Sequence, residues 1–138
     1  MRNHKHFVLD TNTLISSFLL KNSVSKLAYD KARITGQIIM SHETFNELSG
    51  VFVRGKFDKY ISLQKRIEIL EELSSLVSFV KLTETVVICR DAKDDIFLSL
   101  ALSAKADCIV SGDSDLLVLN PFRDIPIINP SDFLSMDV

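Results

Sequence analysis

Six acidic residues in this 138-residue chain stand where chemistry could be done, because each follows an apolar run. Asp10 closes Phe7-Val8-Leu9, and Glu47 comes a short distance after Gln37-Ile38-Ile39-Met40. Asp94 and Asp95 come after Val86-Val87-Ile88, and Asp113 and Asp115 come after Cys108-Ile109-Val110. Taken one at a time, each has an ordinary structural reading: Asp10 as a helix cap, Glu47 as a solvated helix residue, Asp113 as a turn residue and Asp115 as a cap for Leu116 onward. Gathered in one place they could not all stay ionised unaided. Two unit charges ~4 Å apart repel by ~4 kcal/mol at an effective dielectric near ~20, so such a set holds protons or encloses a cation. With no His or Cys among the donors, Mg²⁺ or Mn²⁺ suits them better than Zn²⁺. Ions of that kind serve phosphodiester cleavage by activating water and offsetting charge on the attacking and leaving oxygens. No G-x-x-x-x-G-K-[ST] loop and no G-x-S-x-G elbow occurs, which sets aside P-loop and serine-hydrolase chemistry.

The elements around these acids give the means of gathering them. Apolar runs predict strands at 7–9, 37–40, 86–88 and 106–110, and a last short strand at 125–128 whose Pro126 suggests a sheet edge. Helices are expected at 14–20, at 24–34 with Gly36 ending it, and at 43–53 after Ser41 as N-cap. Leu63, Ile67, Leu70, Leu73 and Leu76 mark a long amphipathic helix over 60–77, a scaffold or a partner surface. Residues 54–58 read as a basic turn. Asp91 is a candidate N-cap for a helix over 94–105, with Asp94 acting like the acid of a capping box. That helix is apolar on nearly every side and must be buried, and a final helical turn begins at 131–134. Strand and helix alternate throughout and the strands lack polar alternation. This predicts a single-domain, three-layer α/β/α fold over 1–138, with a mostly parallel sheet of four to five strands. Right-handed crossovers then put every acid near one sheet edge, the strand C-termini.

Composition agrees with a folded, water-soluble domain. The chain is 46% hydrophobic and 25% charged, and about 140 residues suffice to bury roughly two-thirds of the unfolded surface. No apolar run approaches the ~20 residues of a membrane span, and residues 1–6 lead straight into a strand, so a cytoplasmic location is expected. Cys89 and Cys108 lack paired metal-ligand spacing and are expected to be free thiols. The net charge of -2 argues against coating nucleic acid by charge alone, yet bases cluster at 21–33 and 54–66. Lys21, Arg54, Lys56 and Lys59 are therefore candidates to guide RNA phosphates. His4 and His6 read as tail residues, whereas His42 lies beside a strand edge.

Four stretches taken in order resemble the PIN domain: Val8-Leu9-Asp10-Thr11-Asn12, Glu47-Leu48, Lys93-Asp94-Asp95-Ile96-Phe97-Leu98, and the run from Ala106 to Leu117 containing Ser111-Gly112-Asp113-Ser114-Asp115. The likeness covers almost the whole chain and is greatest to the prokaryotic VapC-like toxins of toxin-antitoxin pairs, in which Arg54-Gly55-Lys56-Phe57 resembles a common basic turn. It implies a metal-dependent endoribonuclease that cleaves RNA with metal-activated water, using Asp10, Glu47, Asp95 and Asp113 as metal-binding catalytic acids. Asp10 would be the central ligand. Asn12, Asp94, Ser111 and Asp115 would support them. Asp95 is preferred to Asp94 because it opens the matching run and Asp94 has a capping explanation, and the capping role at the first helix is expected to fall on Thr11 or Asn12. An RNA substrate, a cognate antitoxin protein and a homo-oligomer are the partners implied. Two alternatives stand beside this reading. Asp10-Thr11-Asn12 is similar to the nucleophile motif of haloacid-dehalogenase-like phosphatases, although Asn12 replaces their second Asp; a receiver domain is disfavoured because no Lys follows the last strand. The other is a catalytically idle PIN-like protein-binding module.

Overall fold

A computed structural model describes residues 5–137, so His4 lies outside the described residues. Five parallel strands form one sheet in the order β3-β2-β1-β4-β5. They are β1 (Lys5–Leu9), β2 (Gly36–Met40), β3 (Ser78–Phe79), β4 (Cys108–Val110) and β5 (Ile127–Ile128). The helices are α1 (Thr11–Leu19), α2 (Val24–Thr35), α3 (His42–Phe52), α4 (Leu63–Leu76), α5 (Ala92–Ala104), α6 (Ser114–Leu117) and α7 (Pro130–Ser135), with a 3-10 turn at Gly55–Phe57. β1 is central, pairing Phe7 with Ile38 of β2 on one side and with Cys108 of β4 on the other. No described helix is long and apolar enough to cross a membrane.

Successive strand residues face opposite layers, which is why the strands read as continuous apolar runs. Phe7, Leu9, Ile38, Met40, Cys108 and Val110 pack into one core with residues of α1, α2, α3, α4 and α7. Val8, Ile39, Ile109 and Ile127 point the other way, into a core completed by α5 and α6. The three-layer expectation is met. β5 is an edge strand, as Pro126 suggested, and Pro126 itself accepts from the Ile109 N–H just before the pairing begins. Cys89 and Cys108 are free thiols, each pushed up to about 12, chiefly by burial.

Several local expectations are corrected. Residues 86–88 form no strand. The third strand is the two-residue β3, paired with Ile39 and Met40, and Val87 is 81% exposed. The 83–89 stretch instead lies along α5, antiparallel to it, with its N–H groups donating to side chains. Thr83 and Glu84 donate to Ser103 Oγ (2.9 and 3.1 Å), Val86 to Ser99 Oγ (2.9 Å), and Ile88 and Cys89 to Asp95 Oδ1 (3.1 and 2.8 Å). Residues 95, 99 and 103 recur every four positions and so share one helix face. α5 is thus apolar towards the sheet and roofed by this stretch on the other side, which accounts for its composition. Gly36 does cap α2, but in extended backbone (φ -171°) and not in the left-handed form; a Cβ there would lie 2.4 Å from the Lys5 carbonyl oxygen of the neighbouring strand. His6 belongs to β1, its N–H donating to Asp107 Oδ2 at 2.8 Å, and His42 stacks on Phe79.

Arg66 falls in the basic cluster of the sequence, yet its side chain is fully buried beneath the turn before α4. Its guanidinium donates to the carbonyls of Phe52 (2.8 Å), Arg54 (3.0 Å) and Ile61 (3.2 Å) and pairs with Asp58. Arg66→Met should lower the unfolding free energy by about 2–4 kcal/mol, because it strands buried carbonyls. The Asp58 side chain is 65% exposed, so Asp58→Ala should cost under about 1 kcal/mol. Urea denaturation of the two variants checks the ordering.

Candidate acidic site at the sheet edge

Asp10 leaves the C-terminus of β1 nearly buried (5% exposed). Its N–H donates to the Val110 carbonyl at 3.2 Å, tying it to the end of β4. One carboxylate oxygen accepts from the Thr13 N–H at 2.9 Å and the other from the Ser111 hydroxyl. Asp10 is therefore itself the N-cap of α1, and the expectation that Thr11 or Asn12 takes over that role is corrected. The same carboxylate lines the pocket, so the two functions coexist in one residue. Burial raises the Asp10 pKa above its ordinary value, against the lowering effect of the Ser111 and Thr13 donors.

The pocket has a volume of about 270 Å³ and is lined by Asp10, Thr11, Asn12, Glu47, Asp91, Asp94, Asp113 and Asp115, with Val51, Phe97 and the cations Arg54, Lys56 and Lys93. The acids arrive from four segments: the end of β1, α3, the start of α5 and the start of α6. Ser41 and Thr44 cap α3 reciprocally, and Glu47 projects from that helix. Asp113 caps the short α6, its Oδ1 accepting from the Asp115 N–H at 2.9 Å. The buried Ser111 links two loops: while its hydroxyl donates to Asp10, its oxygen accepts from the Asp113 N–H at 3.0 Å. Asp94, Asp113 and Asp115 each offer an oxygen within 4.8 Å of the others. Asp115 also pairs with the exposed Arg90 at 3.2 Å.

The matching family model, described as a PIN domain, spans residues 6–115. The chain belongs to the PIN domain family. Among individual relatives, the uncharacterized protein MJ1680 of Methanocaldococcus jannaschii is 29% identical over 116 residues, covering 81% of this chain and 73% of its own. The fold is shared with the crystal structure of VapBC2 from Rickettsia felis bound to a promoter DNA fragment (TM-score 0.64, 12% identity, 90% of this chain and 98% of that one). It is also shared with VapBC-1 from nontypeable Haemophilus influenzae (TM-score 0.61, 19% identity, 91% and 98%). PIN membership leaves the haloacid-dehalogenase-like alternative without support.

Within this PIN domain, Asp94 lines the pocket and Asp95, the residue the resemblance favoured, does not. Adjacent helical residues diverge by about 100°, so only one can face the pocket. Asp94 faces it. Asp95 is buried against the 83–89 stretch, where burial works to raise its pKa but the Cys89 and Ile88 N–H donors prevail and hold it below its ordinary value. The cap of α5 is Asp91, its carboxylate accepting from the Lys93 N–H at 3.0 Å and its carbonyl from the Asp94 N–H at 3.0 Å. Asp10, Glu47, Asp113, Asn12 and Asp115 do line the pocket, and Ser111 stands directly behind it. Arg54 and Lys56 reach its rim, whereas Lys21 lines a separate groove between α1, α2 and α4. Thr11 and Asp91, expected only as helix caps, and Lys93, which opens the acidic run, also line the pocket.

Burial and then repulsion from Asp113 and Asp91 push the Asp94 carboxyl up to about 6, from an ordinary value of 3.8. Between those two values the folded state binds more protons than the unfolded chain, so stability falls as pH rises through that window. Metal-free Asp94→Asn should accordingly melt above the wild type at pH 7.5 and close to it near pH 4. Thermal melts in a chelator at the two pH values test this, and a variant less stable than the wild type at pH 7.5 contradicts it.

Proposed function

We propose that this PIN domain is a divalent-cation-dependent endoribonuclease acting on single-stranded RNA, as the toxin component of a toxin-antitoxin pair. The observation that carries the reading is the convergence of Asp94, Asp113 and Asp115 oxygens within 4.8 Å, in a pocket shared with Asp10 and Glu47. The donor set suits a hard cation: every candidate ligand is a carboxylate oxygen, and like charges this close favour an ion among them. Asp10, Asp94 and Asp113 would hold Mg²⁺ or Mn²⁺, with Glu47 and Asp115 beside them. Asp94 takes the part that the sequence suggested for Asp95. When bound, such an ion supplies the positive charge that activates water and offsets charge at the phosphate.

The protein's own residues prepare the rest. Thr13 and Ser111 orient the Asp10 carboxylate before substrate arrives, so it needs no reorganisation on binding. Ser111 keeps Asp113 in register with Asp10. Arg54, Lys56 and Lys93 border the pocket and supply the local cations that an acidic chain needs to hold a polyanionic strand. The raised Asp94 pKa of about 6 means that below this pH a bound cation would have to displace a proton from the carboxyl. The fold shared with two VapBC structures agrees with a toxin that has a protein partner.

Purified protein with Mn²⁺ or Mg²⁺ should cleave single-stranded RNA, and Asp10→Asn and Asp94→Asn should each reduce the rate by on the order of 100-fold or more while circular dichroism stays native. Asp95→Asn, whose amide oxygen can still accept from Ile88 and Cys89, should retain much more activity. Equal cleavage by wild type and Asp10→Asn would refute the nuclease reading. A folded wild type that cleaves nothing yet forms a stable complex with a small neighbouring-gene product would favour the binding module.

A further inference from the structure

Thr11 is the first residue of α1, next to Asp10, and forms part of the wall of the acid pocket. It is 8% exposed, and among the described residues its Oγ1 is the buried side-chain oxygen that has no hydrogen-bond partner. Other buried hydroxyls are engaged: Ser17 donates to the Leu14 carbonyl, Ser99 accepts from Val86, and Ser111 joins Asp10 to Asp113. Buried hydroxyls in folded proteins are almost always satisfied, and an isolated one is costly. The usual internal remedy for a helical Thr is to bond the carbonyl four residues earlier. For Thr11 that residue is Phe7, inside the central strand, where the backbone serves the sheet. Oγ1 is closed to solvent in the empty protein, so the missing partner is to be sought on the pocket side that Thr11 lines, reached by rotation of its side chain.

We propose that Thr11 contacts the pocket's occupant directly, its hydroxyl donating to an oxygen that the cation or the scissile phosphate brings in beside Asp10. The inference rests on the nuclease reading above and adds a residue to it. An uncharged donor here complements the surrounding carboxylates, which only accept when ionised. The arrangement also makes Thr11 a site where binding and stability oppose one another: its hydroxyl weakens the empty protein and is satisfied in the filled one.

Thr11→Val, which keeps the shape and removes the hydroxyl, and Thr11→Ser, which keeps the hydroxyl, separate the possibilities. Without metal, Thr11→Val should melt at the wild-type temperature or up to ~4 °C higher. It should also lose roughly fivefold in affinity either for Mn²⁺ in calorimetric titration or for a single-stranded RNA oligonucleotide in Ca²⁺, read by fluorescence anisotropy. A loss in the Mn²⁺ arm identifies the acceptor as a water oxygen accompanying the cation; a loss confined to the RNA arm identifies it as a phosphate oxygen. Thr11→Ser should bind like the wild type in both. A lower metal-free melting temperature for Thr11→Val would mean that the hydroxyl has an internal partner and would overturn the inference, as would unchanged binding in both arms. If the wild type binds neither Mn²⁺ nor RNA, the nuclease reading fails and this inference with it. Failure confined to Thr11→Val leaves that reading intact.

Discussion

A carboxylate buried at the end of the central strand sets the terms for everything at this sheet edge. Asp10 is almost wholly removed from water, which opposes its charge. Two donors compensate: a backbone N–H from its own helix, and the hydroxyl of Ser111 from the neighbouring strand's end. Because Ser111 also accepts from the Asp113 N–H, the loops after β1 and β4 are coupled through one oxygen atom. The remaining acids then approach a carboxylate whose position is already settled, and burial, followed by repulsion from Asp113 and Asp91, raises the proton affinity of Asp94.

A second buried charge governs the turn that follows α3. Arg66 grips the Phe52 and Arg54 carbonyls from beneath, so the polypeptide leaving α3 turns where Arg54 and Lys56 border the acids. One cation with no solvent exposure thus locates two others that need it. The pocket therefore carries charge of both signs. Asp10 is buried and Glu47, Asp94, Asp113 and Asp115 are half-buried, whereas Arg54, Lys56 and Lys93 are exposed, so the acids are on the whole more enclosed than the bases.

Much of this was legible in the sequence, and the exceptions have physical reasons. Strands buried on both faces leave an unmistakable apolar signature, so β1, β2 and β4 and their acids could be read directly. The stretch 86–88 carries the same signature without being a strand, because composition records burial and β propensity but not what the N–H groups bind. Which of Asp94 and Asp95 lines the pocket is hidden for a related reason. Neighbouring acids are equivalent as letters, and the choice between them depends on a helix phase set by a cap at Asp91. Arg66 shows the limit from the other side: a base in a basic segment reads as surface, and only the carbonyls above it reveal it as interior.

The stretch roofing α5 is held through its backbone N–H groups, while the helix contributes the side chains Asp95, Ser99 and Ser103. For these hydrogen bonds side-chain identity is specified on only one partner, although Val86 is also held by its place in the core. Over evolutionary time the roof is free to change its residues at exposed positions such as Val87, whereas the three helix residues must keep their acceptors. One substitution is barred at 83, 84, 86, 88 and 89 whatever its size or polarity: proline, which has no N–H to give.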